Sequence, residues 1–175
     1  MVTHNMRQDS EQFLSFISQQ GLEKENQKQA LSTVFYKMLD FLDCDRAWCL
    51  YPCDPETEDW GIPIECTRDE WLGVRHSGLD MPAMETDLAI FNLHLKANRP
   101  ITFGKDCDYQ VPEYVTKVFC VKSQISSTIY PKQGKPWMLG IHYCENHHQF
   151  TDDEIEFFDL LGRKIAKEFD NLNFK

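Results

Sequence analysis

The chain has 175 residues, a length typical of one domain, and 42% of them are hydrophobic, so it can bury a core of its own. Its formal net charge of −10 at pH 7 argues against nucleic acid and anionic lipid as partners, because both attract an excess of Lys and Arg. The composition therefore indicates a single compact domain whose partner is neither nucleic acid nor an anionic membrane.

The sequence lacks the features of a membrane or secreted protein. No stretch approaches the ~20 apolar residues that a membrane span needs. Residues 1–7 have no apolar signal-peptide core behind them. We therefore expect a cytoplasmic protein without membrane insertion. The seven cysteines are odd in number and mostly lie among apolar residues, so we expect packed thiols and no structural disulfide.

Two helical patterns and two strands are predicted in the first half of the chain. Apolar residues at helical spacing predict a helix over 10–20 and a longer one over 24–42. The wide apolar stripe of the second helix is typical of packing on a sheet. Residues 46–51 and 60–66 are predicted to form a hairpin-like pair with a long loop. Residues 67–84 gather Gly and Pro, which favours a loop or short helix that can close a pocket.

The second half begins with weaker patterns and ends in a hairpin. The spacing predicts a helix over 87–98, a short strand over 100–103 and a helical turn or two over 112–119. The β-rich runs 124–130 and 136–144 are separated by a Gly-containing turn, which is typical of a β-hairpin.

The last helix has the clearest start signal. Thr151 and Glu154 form a capping box, and the helix is predicted to run to about Leu172. Its apolar stripe is wider than one sheet face needs, which indicates a second partner surface. The residues that widen it are Phe157, Leu160 and Leu161.

No group of residues forms a recognisable catalytic or metal site. The cysteine spacings are not paired zinc knuckles, and the Cys-Glu-Asn-His-His run over 144–148 fits a polar loop better than a metal site. Seven Cys and six His allow many pairings, but none of them forms a local signature of nucleophilic catalysis. Residues 134–136 lack the rest of a phosphate-binding loop. We therefore expect neither catalytic residues nor metal ligands.

One polar residue lies inside an apolar strand. His142 shares a strand face with Gly140 and Cys144. A buried imidazole without a hydrogen-bond partner costs about 1–3 kcal/mol, so this side chain needs a partner. The partner is either another protein group, which the residues alone favour, or a ligand.

Three short motifs follow one another in an order that is hard to obtain by chance. They are Asp45-Arg46-Ala47, Phe119-x-Val121-Lys122 and Trp137-x-x-Gly140-x-His142-x-Cys144. Over roughly 23–172 the sequence resembles GAF domains, particularly those of phytochromes and cyanobacteriochromes. The third motif looks like the family's strand whose histidine contacts a bilin ring.

This resemblance implies an α+β fold with a central antiparallel sheet of about five or six strands. The N- and C-terminal helices lie on one face of the sheet, and a loop-covered pocket lies on the other. The chain divides into an N-terminal helical extension, 1–22, and a GAF-like sensor domain, 23–175. The residues expected to line the pocket are His142, Cys144, Tyr51, Trp60, His76 and Phe119.

The resemblance also implies a role. Domains of this type in bacterial signalling proteins commonly precede a histidine kinase or another output module and dimerise through their terminal helices. We therefore expect a non-catalytic input domain of a two-component signalling protein, which binds a small ligand or relays a signal through a homodimer. The dimer-interface candidates are Phe157, Leu161 and Leu160.

The sequence departs from bilin-binding relatives at one place. Those relatives carry a Cys-His pair at the start of the helix before the Phe-x-Val-Lys motif, where this chain has Val111-Pro112. Neither Cys107 nor Cys120 occupies that place, so no covalent bilin is expected and the cofactor is unknown. A sensor with a non-covalent tetrapyrrole, either bilin or haem, is one alternative. A thiol-based enzyme resembling GAF-fold methionine sulfoxide reductases is another.

Overall fold

The structure is a computed structural model that describes residues 6–20, 26–77, 85–170 and 172. Its helices are α1 (Met6–Gln20), α2 (Gln27–Phe41), α3 (Val74–Ser77), α4 (Glu85–Lys96), α5 (Glu113–Phe119) and α6 (Asp152–Glu168). Its strands are β1 (Arg46–Tyr51), β2 (Gly61–Thr67), β3 (Ile101–Phe103), β4 (Ser123–Ile129) and β5 (Trp137–Tyr143). These elements fall where the sequence predicted them, with shifts of a few residues at their ends.

The strands form one antiparallel sheet of five strands in the order β2-β1-β5-β4-β3. The predicted β4–β5 hairpin is present, and Ile125 pairs with Ile141 across it. The hairpin-like pair of β1 and β2 is present as well, with Ala47 opposite Cys66. Because β1 lies between β2 and β5, it joins the first half of the chain to the second. The α+β fold with a central antiparallel sheet is therefore confirmed.

The larger core lies between one face of the sheet and helices α1, α2 and α6. Leu31, Phe35 and Met38 of α2 are fully buried, since their spacing places them on one side of the helix. Ala47 and Cys49 alternate along β1 with residues of the other face, so they meet this core from the sheet. The wide apolar stripe of α2 is thus explained by packing on a sheet.

The N-terminal helix α1 belongs to the same core. Its Phe13 and Ile17 are buried. The ring of Phe13 lies 4.9 Å from that of Phe41 and 5.9 Å from that of Phe157, measured between centroids. The boundary expected between residues 22 and 23 stays a prediction, but it does not separate two hydrophobic cores.

Helix α6 begins with the predicted capping box. The Thr151 hydroxyl accepts a hydrogen bond from the Glu154 N–H at 3.3 Å, and the Glu154 carboxylate accepts one from the Thr151 N–H at 2.7 Å. Two turns further on, Gly162 faces β4, where an added Cβ would lie 3.2 Å from Oγ of Ser127. The glycine therefore allows α6 to approach the sheet closely.

The second face of the sheet is covered by the shorter helices. Trp48, Leu50 and Met138 project from it and pack with Phe91 of α4 in a smaller apolar cluster. The pairing of β1 with β2 shifts register between residues 49 and 51, so β2 has one extra residue there. Because of this extra residue, two β2 side chains that are an odd number of positions apart can point to the same face of the sheet.

Two further features concern the chain as a whole. Among the described helices, none combines the length with the apolar composition that crossing a bilayer requires. All seven cysteines carry free thiols, and five of them are buried.

Candidate functional site

A small cavity lies between the second face of the sheet and the helices that cover it. Its volume is about 100 Å³, which is room for about three water molecules. One wall comes from β1, β2, β4 and β5, and the opposite wall comes mainly from α4 and α5. The lining side chains are Arg46, Trp48, Leu50, Trp60, Ile62, Glu65, Val74, Asp87, Ile90, Phe91, Val115, Phe119, Gln124, Met138 and His142.

The pairing of β1 with β5 builds the polar centre of this cavity. Arg46 lies opposite His142, and Trp48 lies opposite Gly140. The two-residue period of a strand places all four on the cavity face. Gly140 leaves the space that the Trp48 indole occupies, since an added Cβ would lie 2.7 Å from its Cη2. The indole can therefore lie against the His142 ring, 5.3 Å away between centroids.

Arg46 is a buried cation surrounded by acceptors. Its Nη2 donates to the carbonyl oxygens of Trp71 and Leu72 at 3.1 and 3.0 Å, and more weakly to that of Phe119 at 3.4 Å. Its Nη1 donates to Nδ1 of His142 at 3.0 Å. Because 71 and 72 belong to the loop before α3, this side chain ties the loop to the sheet.

Glu65 supplies the negative charge beside Arg46. Its Oε1 lies 3.9 Å from Nε of Arg46, and both side chains are only 2% exposed. The two carboxylate oxygens also accept the backbone N–H groups of Val74 and Arg75 at 3.1 and 3.0 Å. These N–H groups open α3 and have no partner within the helix. The carboxylate thus compensates the buried guanidinium and anchors α3 at the same time.

The neighbours of His142 determine which of its nitrogens carries the proton. Arg46 is always protonated, so Nδ1 must accept its hydrogen bond. Nε2 then carries the proton and donates to Oε1 of Gln124 at 2.9 Å. The indole Nε1 of Trp48, a donor only, lies 3.0 Å from the same Nε2. Burial, with the charge of Arg46, holds the pKa of His142 well below its usual value, so the ring is neutral.

A second histidine is connected to this centre through β4. Nε2 of Gln124 donates to Oγ of Ser126 at 3.0 Å, and the Ser126 hydroxyl donates to Nε2 of His94 at 2.8 Å. Nδ1 of His94 donates to the carbonyl of Ile90, one turn earlier in α4, at 2.9 Å. Burial lowers the pKa of His94, so this ring is also neutral. A chain of hydrogen bonds therefore joins the sheet to α4.

The structure places three of the six predicted pocket residues at the cavity. His142, Trp60 and Phe119 line it. That His142 finds hydrogen-bond partners within the protein agrees with the interpretation that the residues alone favoured. Whether any of the three binds a ligand stays a prediction.

The other three predicted pocket residues do not line the cavity in the described part of the structure. Tyr51 packs against the larger core, because it follows Leu50 in the strand and so points to the opposite face. Cys144 follows the end of β5 and is buried beside Phe119. The side chain of His76 lies outside the described residues.

The three dimer-interface candidates have different surroundings. Phe157 and Leu161 are 3% and 0% exposed within this chain, since they face α1 and the sheet. Leu160 points away from the core and is 44% exposed. Of these three residues, Leu160 alone is available to a partner chain.

Sequence reasoning missed several side chains of the polar centre. The alternation over 46–51 would have placed Arg46 and Trp48 on one strand face, and an arginine inside an apolar strand was the available signal. Glu65 and Gln124 carried no such signal, because their positions depend on the register of β2 with β1 and of β4 with β5.

The cysteines lie away from the lining of the cavity in the described part of the chain. Burial raises the pKa of Cys53 to about 12 and the pKa values of Cys66 and Cys144 to about 11. Burial likewise raises the pKa of Cys107, a half-buried loop residue. A reactive cysteine requires the opposite shift.

Sequence comparison finds no relative from which a function could be transferred. No protein-family model matches the chain, and no curated protein matches it significantly.

Solved structures, in contrast, do resemble the chain. The phycoerythrobilin-bound GAF domain from a cyanobacterial phytochrome is 18% identical with a TM-score of 0.72, over 94% of this chain and 96% of that one. The GAF domain of a protein from Pseudomonas syringae pv. tomato, described as a sensor histidine kinase, is 13% identical with a TM-score of 0.58, over 94% and 88%. The GAF domain from a phosphoenolpyruvate-protein phosphotransferase of Coxiella burnetii is 17% identical with a TM-score of 0.61, over 94% of both chains.

These observations place the chain among α+β domains that bury one face of an antiparallel sheet under their terminal helices and enclose a cavity at the other face. More particularly, the chain has the GAF fold, as the resemblance of its motifs implied. At these sequence identities the likeness establishes the fold alone.

Proposed function

We propose that this chain is a sensory domain that binds a small ligand in the cavity and passes the effect of binding to its terminal helices. The observation that carries the proposal is that the cavity and α6 lie on opposite faces of the same two strands. In β4, Gln124 lines the cavity, whereas Ser127 meets Gly162 of α6. In β5, His142 lines the cavity, whereas Ile141 belongs to the larger core. A displacement of either strand by a ligand must therefore be accommodated by α6.

The terminal helices are suited to carry such a change outward. Helix α6 packs against both α1 and β4, so a movement of the sheet reaches both ends of the described chain. We extend the proposal to a homodimer formed through the exposed face of α6 around Leu160, and to an output module such as a histidine kinase. The fold similarity to a GAF domain described as part of a sensor histidine kinase supports this extension.

A tetrapyrrole is larger than this cavity. Pockets for drug-sized ligands measure roughly 300–1,000 Å³, and a tetrapyrrole needs one at least as large, whereas this cavity measures about 100 Å³. The indoles of Trp48 and Trp60 and the ring of Phe91 fill the space around it. We therefore favour a small ligand over the tetrapyrrole alternative. When biliverdin or haem is added to the purified protein, we expect no visible absorption band from a bound chromophore.

The proposal can be tested by filling the cavity with a side chain in place of a ligand. Ile62 is half-buried and lines the cavity from β2, so Ile62→Trp adds bulk there without cutting into the larger core. We expect hydrogen–deuterium exchange of the α6 amides to change by about threefold or more, because the opening of α6 depends on its contact with β4. The measurement is exchange mass spectrometry on the full chain.

Leu72→Trp is the matched control. Leu72 is 58% exposed and does not line the cavity, so the added bulk should leave the exchange of α6 unchanged. Equal exchange of α6 in wild type and in folded Ile62→Trp would mean that cavity occupancy is not transmitted, and the proposed relay would be abandoned.

A further inference from the structure

The unsatisfied hydrogen-bonding groups of the cavity wall are donors. Nε1 of Trp60 is buried and has no acceptor among the described residues. Nε of Arg46 also lacks a hydrogen-bond acceptor, since its nearest carboxylate oxygen, on Glu65, is 3.9 Å away. An unsatisfied buried donor is destabilising, and most such groups in folded proteins find a partner. Both donors belong to side chains that line the cavity, so an acceptor atom that reached them would satisfy them.

The tautomer of His142 adds a third donor to this set. Because Nδ1 accepts from Arg46, Nε2 carries the proton and donates it to Gln124, so the Trp48 N–H, 3.0 Å from Nε2, meets a nitrogen without a free lone pair. A neutral imidazole accepts at one nitrogen only. The Trp48 N–H consequently has no acceptor in His142, although its indole lines the cavity.

The acceptor oxygens of Glu65 and Gln124, in contrast, each already receive a hydrogen bond. The two oxygens of Glu65 take the N–H groups of Val74 and Arg75, and Oε1 of Gln124 takes the proton of His142. A ligand whose polar group mainly donates would find few partners here. A ligand whose polar group accepts would find several.

The charges of the wall favour a neutral acceptor over an anion. Arg46 is the positive charge of the lining, and Glu65 already compensates it within the buried pair. Asp87 also lines the cavity. Bringing a carboxylate into this surrounding would add a buried negative charge without a free cation to receive it.

The remainder of the wall determines the body of the ligand. Leu50, Ile62, Ile90, Phe91 and Met138 are apolar and surround the polar centre. An apolar cavity of about 150 Å³ admits a benzene ring, so one of about 100 Å³ admits a shorter aliphatic group. Resting on the proposed function, we infer that the ligand is a small neutral carbonyl compound, such as a ketone or an ester, whose oxygen accepts the Trp60 N–H while its aliphatic part lies against these residues.

A series of four molecules of nearly the same shape tests this class. 2-Pentanone, butyramide, butyrate and 2-methyl-1-pentene differ only at the groups around one trigonal carbon. In that order, the four molecules present a neutral acceptor, an acceptor with added donors, an anion and no polar atom. Calorimetric or ligand-observed NMR titration should give 2-pentanone a Kd on the order of 1 mM. We expect the hydrocarbon, the amide and the anion to bind several-fold more weakly.

A pair of tryptophan variants locates the hydrogen bond. Trp60→Phe removes the N–H and keeps an aromatic ring, so it should abolish most of the several-fold preference for 2-pentanone over 2-methyl-1-pentene, since that preference rests on one hydrogen bond. Trp71→Phe makes the same change at a residue that does not line the cavity, and it should preserve the preference. Circular dichroism establishes that each variant is folded.

The outcomes separate the ligand class from the proposed function. Tighter binding of butyrate or butyramide, or equal binding of the hydrocarbon, overturns the neutral carbonyl class; the proposed function stands if the α6 amides then change their exchange. Binding of 2-pentanone without any change in α6 supports the class and removes the relay. Failure of all four molecules to bind overturns the class, whatever the Ile62→Trp experiment shows.

Discussion

Replacing Gly140 by alanine tests how the polar centre is built. Gly140 lies opposite Trp48 in the β1–β5 pairing, and the Trp48 indole lies against the ring of His142. An alanine Cβ would lie 2.7 Å from Cη2 of Trp48 and closer still to the adjacent ring carbons. Carbon atoms in contact normally lie about 3.5–4.0 Å apart. The indole must therefore move by about an ångström or more from its place beside His142.

The expected cost combines two effects. Forcing a methyl group into a packed site costs about 1–3 kcal/mol. Moving the Trp48 indole also disturbs packing against Leu50 and Met138. We expect Gly140→Ala to lower the free energy of unfolding by about 2–3 kcal/mol. Backbone strain does not contribute, because the glycines with positive φ are Gly104 and Gly134 among the described residues.

Urea unfolding followed by far-ultraviolet circular dichroism measures this cost, and Gly61→Ala is the matched control. Gly61 is also in a strand, and nothing lies within 4 Å of a Cβ built there, so the control should be neutral or slightly stabilising. In a Trp48→Leu background, Gly140→Ala should cost at least about 1 kcal/mol less than in wild type, since the colliding ring is gone. Equal effects of the alanines at 140 and 61 would refute the reasoning.

Two further predictions concern pH and the start of α6. Unfolded histidines protonate near pH 6.5, whereas burial lowers the pKa values of His142 and His94 in the native state. The unfolded state therefore binds more protons, and the free energy of unfolding should fall between pH 7.5 and 5.5 by up to about 1 kcal/mol for each histidine. Urea titrations at both pH values measure this fall, which His142→Gln should reduce, and stability independent of pH would contradict the neutral rings. Thr151→Ala should cost about 1 kcal/mol by removing the capping hydroxyl, whereas Thr151→Ser should cost much less in the same assay, and equal losses would exclude a role for the hydroxyl.

Much of the fold could be predicted because its signals are local. The apolar spacing of α2, the capping box of α6 and the turn between β4 and β5 each lie within one short stretch of sequence. The structure confirms all three. The bounds of α1 and α6 were less accurate, since fraying and tertiary packing decide where helices end.

The candidate site was harder to predict because it depends on register between distant strands. Arg46 and His142 are 96 positions apart, and their contact follows from the pairing of β1 with β5. A shift of that pairing by one residue would turn every side chain to the other face. Tyr51 illustrates the point: it is adjacent to a cavity residue in sequence and lies on the opposite side of the sheet.

Side chains of the polar centre also hold the segments that cover the cavity, so a ligand that contacts this centre affects those segments first. Arg46 holds the carbonyls of residues 71 and 72, and Glu65 holds the N–H groups of residues 74 and 75. His94 connects α4 to the sheet in the same way through Ser126. A ligand that engages the donors of the polar centre must compete with these bonds or reinforce them, so its first effect falls on the cover. The response of α6 then depends on whether β4 moves with α4, which is why exchange at the two helices should be measured together.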